Sequence, residues 1–299
     1  MEWRWVMGGP TSYSTGNLPP LNGHTARVRI VADSASDILP SHARALGILL
    51  VPNRIVFDGA VWRDGVDLTA AEFYAALPRA KTMPHTIPAP PEDLYTAYQW
   101  AFRQGATDVV SLHVSGKLSK VAYHAIAARD AMPGAPIRVV DTQQAGIGMW
   151  PAVTRAAQLA QSGVSAWEIE QSAAAILKRT RAYFMVESLE YLRRNGRIGR
   201  AREMMGSLLD AHPILTFENG EVAPVENVRP RQRALERMCE LALEGDVDRL
   251  LVCGTSIEAI TEVEEVLRRR YKGPVQNTWL GPTLGANTGP AVAVACVSR

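Results

Sequence analysis

The sequence has few cysteines, little net charge and no long apolar run. Its three cysteines, Cys239, Cys253 and Cys296, form no CxxC pair, so they provide neither a zinc site nor a disulfide framework, and this usage favours a reducing compartment. Lys and Arg (32) nearly balance Asp and Glu (30), and a net charge of +2 is too small for a nucleic-acid-binding surface. No run approaches the length of a transmembrane helix. We therefore expect a cytoplasmic globular protein that binds no nucleic acid.

Signatures of nucleotide, metal and nucleophilic chemistry are also missing. The sequence contains no GxxxxGK[ST] loop and no HExxH pair. The segment Gly146–Gly148 follows a predicted strand, but Pro151 occupies the third glycine position of a dinucleotide fingerprint. Ser115 follows a predicted strand where a nucleophile could lie, yet His113 and Lys117 replace the glycines of a nucleophile elbow. No cofactor is expected.

The residue pattern divides the chain into three parts. Residues 1–26 show no sustained period and no signal-peptide features, so we expect a poorly ordered extension or a start codon placed too early. Residues 27–160 alternate β-branched strands with helices, which predicts an α/β domain with a parallel sheet. Residues 161–299 mix helices with hairpin strands, and we predict a C-terminal α+β domain there.

Local signals predict individual turns and caps. An Asp-Gly pair at 58–59 and an Asn-Gly pair at 219–220 each predict a β-hairpin. Ser34–Asp37 has the pattern of a capping box and predicts a helix that continues through Leu46. Four prolines within Met83–Pro91 predict a stiff loop.

Two acidic residues follow predicted strands. Asp33 and Asp141 could mark a metal or phosphotransfer site at the carboxyl edge of the sheet. Asp is also common at these positions as a helix cap or turn residue, so both interpretations stay open.

Segments spread over residues 27–297 resemble the DegV family of fatty-acid-binding proteins. The resemblance rests on the order and spacing of these segments together rather than on any single segment. The segments are Val31–Ile38, Phe57–Gly59, Arg63–Asp67, His113–Ser119, Val140–Thr142, Ala145–Gly148, Tyr183–Leu192, Gly196–Ile198, His212–Leu215 and Gly285–Pro290.

The resemblance implies the two predicted domains with one long-chain fatty acid buried between them. It also implies that the chain itself catalyses no reaction and presents the fatty-acid carboxylate to a separate ATP-using subunit of a fatty acid kinase. The residues at the family's head-group positions become the predicted ligand contacts. They are Ser115, Thr86, His85, Gly116, Ser119, Arg197, Asn287 and Thr288.

The head-group segments depart from the family's pattern. The family's Thr-Ser-Gln-Pro is His-Thr-Ile-Pro at 85–88, its Ser-Ser-x-Leu-Ser-Gly-Thr is Ser-Gly-Lys-Leu-Ser-Lys-Val at 115–121, and its His-Thr-Gly-Pro-Gly is Asn-Thr-Gly-Pro-Ala at 287–291. Affinity for a long chain lies mostly in its tail, at about 0.8 kcal/mol per buried methylene. We therefore expect lipid binding to survive these changes.

Two residues that match the family's head-group pattern lead to specific expectations. Ser115 is predicted to donate a hydrogen bond to the ligand head group. Arg197, in a segment that matches the family signature, is predicted to reach the pocket mouth while Arg193 and Arg200 stay in solvent.

Two other functions compete with lipid binding. One is a metal- or phosphate-dependent enzyme that uses Asp33 or Asp141 on a small phosphorylated substrate. The other is a regulatory protein whose lipid pocket is vestigial.

Overall fold

The structure is a computed structural model that describes residues 27–207 and 211–299, so the predicted extension at 1–26 lies outside the described residues. The strands of the described residues, in chain order, are β1 (Val28–Asp33), β2 (Leu49–Val51), β3 (Arg54–Phe57), β4 (Ala60–Arg63), β5 (His85–Ile87), β6 (Asp108–His113), β7 (Ile137–Asp141), β8 (Thr180–Val186), β9 (His212–Glu218), β10 (Glu221–Val228), β11 (Val247–Gly254), β12 (Val275–Trp279) and β13 (Ala291–Ser298). The α-helices are α1 (Pro40–Leu46), α2 (Ala70–Ala76), α3 (Pro91–Arg103), α4 (Val121–Asp130), α5 (Trp150–Gln161), α6 (Ala166–Arg179), α7 (Glu190–Arg194), α8 (Arg231–Ala242), α9 (Ile257–Arg268) and α10 (Pro282–Thr288).

The first sheet is wholly parallel, with the strand order β2-β1-β6-β7. Every residue of the central strand β1 is buried, as expected for a strand that is covered on both faces. Helices α3 and α4 pack against each other, α5 and α6 form a second pair, and each pair contacts this sheet. The predicted α/β architecture of the first half is confirmed.

The second sheet is mixed and has the order β10-β9-β8-β13-β11-β12. Its neighbours are antiparallel except for the parallel pair β11–β12. The predicted Asn-Gly hairpin is confirmed, since residues 219–220 join β9 to β10. Side chains of β13 alternate, with Ala293 in one buried cluster and Val292 and Val294 in the other, beside α8 and α9. This sheet therefore separates two cores.

A small antiparallel sheet, β4-β3-β5, packs with α2 against α10. The Asp-Gly pair at 58–59 turns β3 into β4, as predicted. The prediction of a loop throughout Met83–Pro91 is wrong for His85–Ile87, which form β5. This strand lies at the edge of its sheet, where neighbouring prolines remove no ladder hydrogen bond.

The predicted helix start at Ser34 is also wrong. Ser34–Ser36 form a single 3₁₀ turn, and the residue that caps it is Asp33, whose side chain accepts a hydrogen bond from Ala35 N. Asp37 then adopts a left-handed conformation with φ 54°, which ends the turn, and α1 begins only at Pro40.

The largest buried cluster includes residues from both halves of the chain. The division near residue 160 therefore stays a prediction. Among the helices of the described residues, none combines the length and the apolar character that crossing a bilayer requires.

Candidate functional site

An apolar cavity lies between the loops that follow the parallel strands and one face of the mixed sheet. Its empty volume is about 880 Å³, part of which is open to solvent. Because its wall is almost entirely carbon, the cavity suits an apolar ligand. Its larger apolar side chains come from both halves of the chain and include Val114, Leu118, Ile147, Phe184, Phe217 and Leu284.

Small residues on two neighbouring strands keep this space open. Ala182 of β8 and Ala291 and Ala293 of β13 all line the cavity. Phe184 pairs with Ala293 across the strands and stacks on Phe217 with 5.2 Å between the ring centroids. Interiors are normally close-packed, so a row of alanines beside an unfilled volume indicates a binding space.

Five of the eight predicted contacts meet around this cavity, and three of them lie on or beside α10. Asn287 donates from Nδ2 to Thr86 Oγ1 (3.3 Å) and to Thr283 O (2.8 Å), which leaves its buried Oδ1 without a partner. Thr288 donates from Oγ1 to Leu284 O. These side chains give the cavity one polar end.

Arg197 and Ser119 complete the five. Arg197 donates from Nε to Leu118 O (3.3 Å) and from Nη1 to Asn195 O. Burial lowers the pKa of the Arg197 guanidinium, which stays charged because its ordinary value is so high. A half-buried cation at the polar end suits a carboxylate or phosphate group.

The other arginines of this region lie outside the cavity lining. Arg193 and Arg194 pair with Glu190, and Arg200 pairs with Glu218. All three guanidinium groups are largely exposed, and surface pairs of this kind contribute little to stability. The basic run thus contains one inward-facing arginine among solvated ones.

Three predicted contacts also lie outside the lining. The Ser115 hydroxyl is buried and donates to Gly220 O at 2.7 Å. Gly116 donates its backbone N–H to Asp141 Oδ2 (3.1 Å), and His85 is an exposed residue of β5. The structure does not bring these three to the cavity, and their ligand role stays a prediction.

Ser115→Ala tests that role. We expect it to lower the free energy of unfolding by about 1–3 kcal/mol, because it leaves the buried Gly220 carbonyl unpaired. If Ser115 instead donates to the ligand head group, as the sequence predicts, the substitution should weaken ligand binding by a similar amount. Denaturant unfolding and lipid titration of the same variant separate the two effects, and an affinity loss at unchanged stability would return Ser115 to the ligand site.

Asp33 is saturated with hydrogen bonds. Its Oδ1 accepts from Ala35 N and Asn53 Nδ2, both at 3.0 Å. Its Oδ2 accepts from Val114 N (3.1 Å) and lies 3.0 Å from Nδ1 of the buried His113. These contacts tie the end of β1 to the end of β6, so Asp33 positions the loops that form the cavity wall.

Asp141 also acts as a turn residue. It accepts from Gly116 N through Oδ2 and from Gln143 N through Oδ1 (2.9 Å). Across residues 27–207 and 211–299, no group of three or more His, Cys, Asp or Glu side chains is arranged to hold a metal ion.

Two further carboxyl groups, which the sequence did not single out, lie close to the cavity. Asp37 lines it, and Asp64 accepts a hydrogen bond from Thr283 N (3.2 Å). Burial raises the pKa of Asp37 well above its ordinary value and raises that of Asp64 to about 6. The sequence signal for Asp37 was its place in a family segment, which did not reveal that its side chain is buried.

The raised pKa of Asp64 makes stability depend on pH. Between pH values of about 4 and 6 the folded chain binds more protons at Asp64 than the unfolded chain, so unfolding free energy should rise as pH falls through this window. Asp64→Asn keeps an acceptor for Thr283 N and should flatten the slope, with a gain of up to about 3 kcal/mol near neutral pH. Urea unfolding between pH values of about 4 and 6 measures the pH dependence and the gain in stability. Identical pH slopes in the wild-type protein and Asp64→Asn would contradict the assignment of this dependence to Asp64.

The sequence and the fold match known proteins along almost the whole described chain. A family model described as "Uncharacterised protein, DegV family" matches residues 27–299. The chain belongs to the DegV family. A DegV domain-containing protein of Deinococcus radiodurans is 36% identical over 213 residues, covering 71% of this chain and 75% of the relative. One of Streptomyces coelicolor is 32% identical over 279 residues, covering 91% and 98%.

Solved structures of DegV family proteins share this architecture. The protein of Thermus thermophilus, which is described as binding fatty acid, superposes with a TM-score of 0.84 at 30% identity, covering 91% of this chain and 100% of the relative. DegV of Bacillus subtilis, described as a fatty acid binding protein, gives a TM-score of 0.82 at 27% identity, covering 91% and 99%.

Proposed function

We propose that this DegV family chain is a fatty acid carrier that holds one long-chain fatty acid in the cavity. The single observation that carries the proposal is an apolar cavity whose lining is polar at one end. Burying the alkyl tail supplies about 0.8 kcal/mol per methylene, which offsets the cost of ordering the chain. The solved relatives described as fatty-acid-binding support the same ligand class.

The carboxylate binds at the polar end, beside Arg197, Asn287 and Thr288. A charge-assisted hydrogen bond from Arg197 fixes its direction. Thr86 and Ser119 border the same end and complete the head-group site. The chain contributes binding and orientation rather than covalent chemistry.

We also propose that the head group is presented to the ATP-binding subunit of a fatty acid kinase. Support comes from the surface beside Ser119, where Lys120 and Tyr123 are exposed at the start of α4, next to the polar end of the cavity. A partner that docks there would reach the carboxylate without entering the tail space. The phosphoryl transfer would then belong to the complex.

Mass spectrometry tests the carrier function directly. Native spectra of the purified full chain should show one bound mass, and organic extracts should contain a stoichiometric fatty acid. A chain that yields no lipid and also fails to bind added octadecanoic acid would favour the vestigial pocket. Formation of acyl phosphate with ATP and a kinase subunit, absent without this chain, tests the presentation step.

A further inference from the structure

The Asp37 carboxyl group lies between two spaces. Its Oδ1 accepts a hydrogen bond from Gly281 N (2.9 Å), and Asp37 and Gly281 both line a second cleft. Its Oδ2 has no hydrogen-bond partner and no contact with solvent. This oxygen lies 2.8 Å from where a Cβ on Gly146 would be, and Gly146 lines the apolar cavity. One oxygen is therefore hydrogen-bonded to Gly281, while the other is unpaired beside Gly146, a residue of the cavity lining.

The length of helix α10 gives the approximate distance between Asp37 and the proposed head-group site. Gly281, the hydrogen-bond partner of Asp37, directly precedes the helix, and Thr288 at the polar end of the cavity is its last residue. Seven residues at the α-helical rise separate the two positions by about 10 Å. Asp37 consequently contacts the cavity far from the carboxylate, at the depth where an alkyl chain would run.

The unpaired Asp37 Oδ2, like Asn287 Oδ1 at the polar end, needs an explanation, because burial of a polar atom without a partner is costly. Burial raises the pKa of Asp37 well above its ordinary value and so favours the neutral acid, a form that can donate one hydrogen bond and accept others. The hydroxyl of Tyr74 is a second buried polar group without a partner, and Asp37 contributes to its raised pKa. Native structures retain few such groups, and the missing partner is supplied by a ligand or water.

We propose that the cavity selects a fatty acid whose chain carries an oxygen substituent, a hydroxyl or keto group, at the position that meets Asp37 Oδ2. This inference rests on the proposed carrier function and specifies the ligand within it. A hydroxyl can both donate to and accept from a neutral carboxyl group, and a keto oxygen can accept from it. An unsubstituted chain leaves Oδ2 unpaired against methylene groups.

The test compares octadecanoic acid with positional isomers of hydroxyoctadecanoic acid, titrated against delipidated wild-type protein. One isomer, with its hydroxyl near mid-chain, should bind about tenfold more tightly than octadecanoic acid, and isomers substituted beside the carboxylate should not. If octadecanoic acid binds at least as tightly as every isomer, the inference is wrong and the carrier function stands. If no acid binds, both fail.

Two variants and one control locate the effect. Asp37→Asn keeps a donor and should retain the preference for the hydroxylated isomer. Asp37→Leu should bind octadecanoic acid more tightly and lose that preference by about tenfold. Asp64→Asn is the control, because Asp64 is hydrogen-bonded to Thr283 and does not line the cavity. If Asp37→Leu still prefers the hydroxylated isomer, the assignment of this preference to Asp37 is wrong. If Asp37→Leu does not fold, the titrations of the wild-type protein decide alone.

Discussion

Replacing Ala293 with Phe should abolish the recovery of lipid with the purified protein. Ala293 lies on the cavity face of β13 and is paired with Phe184, so a benzyl group there would occupy the volume that the tail requires. Displacing about six methylenes would cost about 5 kcal/mol, or a more than thousandfold loss of affinity. Stoichiometry by mass spectrometry of extracts and affinity by titration with octadecanoic acid measure the effect.

Graded substitution supplies the control for Ala293→Phe. Ala293→Val should give an intermediate loss, since it removes less of the cavity. Val61→Phe introduces the same aromatic side chain at an exposed position of β4 and should leave lipid content unchanged. Thermal unfolding shows whether each variant is folded. Full lipid content in a folded Ala293→Phe protein would mean that the ligand binds elsewhere.

Arg197→Ala should separate recognition of the carboxylate from binding of the tail. Removing the Arg197 guanidinium, whose charge is opposite to that of the carboxylate, should weaken fatty acid binding by about 1.5–3 kcal/mol, or roughly 10- to 100-fold. The fatty alcohol of equal length should lose much less, because it presents no charge. Acyl phosphate formation with a kinase subunit should fall further than fatty acid binding, since the carboxylate would no longer be held in one orientation.

Arg193→Ala is the matched control for Arg197→Ala. Arg193 is in the same basic run but pairs with Glu190 at the surface. It should change neither fatty acid affinity nor acyl phosphate formation. Similar small effects from both substitutions would show that Arg197 contributes only surface charge.

Local sequence signals predicted the two hairpins because the causes of these turns are local. The Asp-Gly and Asn-Gly pairs adopt the backbone conformation that a tight turn needs, whatever surrounds them. The helix start at Ser34 failed because the cap is Asp33 and the left-handed Asp37 interrupts the chain before Pro40. β12 was not predicted, since its exposed Gln276 and Asn277 hide the strand pattern.

The site was harder to predict because its properties depend on distant partners. Asp33 and Asp37 are only four residues apart, yet the first is saturated and the second keeps a free oxygen. The two carboxyl groups differ in which backbone N–H groups lie within hydrogen-bond distance. For Asp37 the donor is Gly281 N, from a distant part of the chain. Likewise, an alanine in a buried strand has the same sequence pattern whether it packs against a neighbour or borders a cavity.

Hydrogen bonds join segments around the cavity that are far apart in the sequence. Ser34 and Thr283 hydroxyls lie 3.2 Å apart, Thr278 donates to Asp37 O (2.9 Å), and Ser115 donates to the Gly220 carbonyl. Separating these segments around the proposed acyl ligand would require several such bonds to open together. The rate of ligand release through such a collective opening would be slow and would rise steeply with temperature. A partner acting on the exposed head group would work on a ligand that stays bound throughout many encounters.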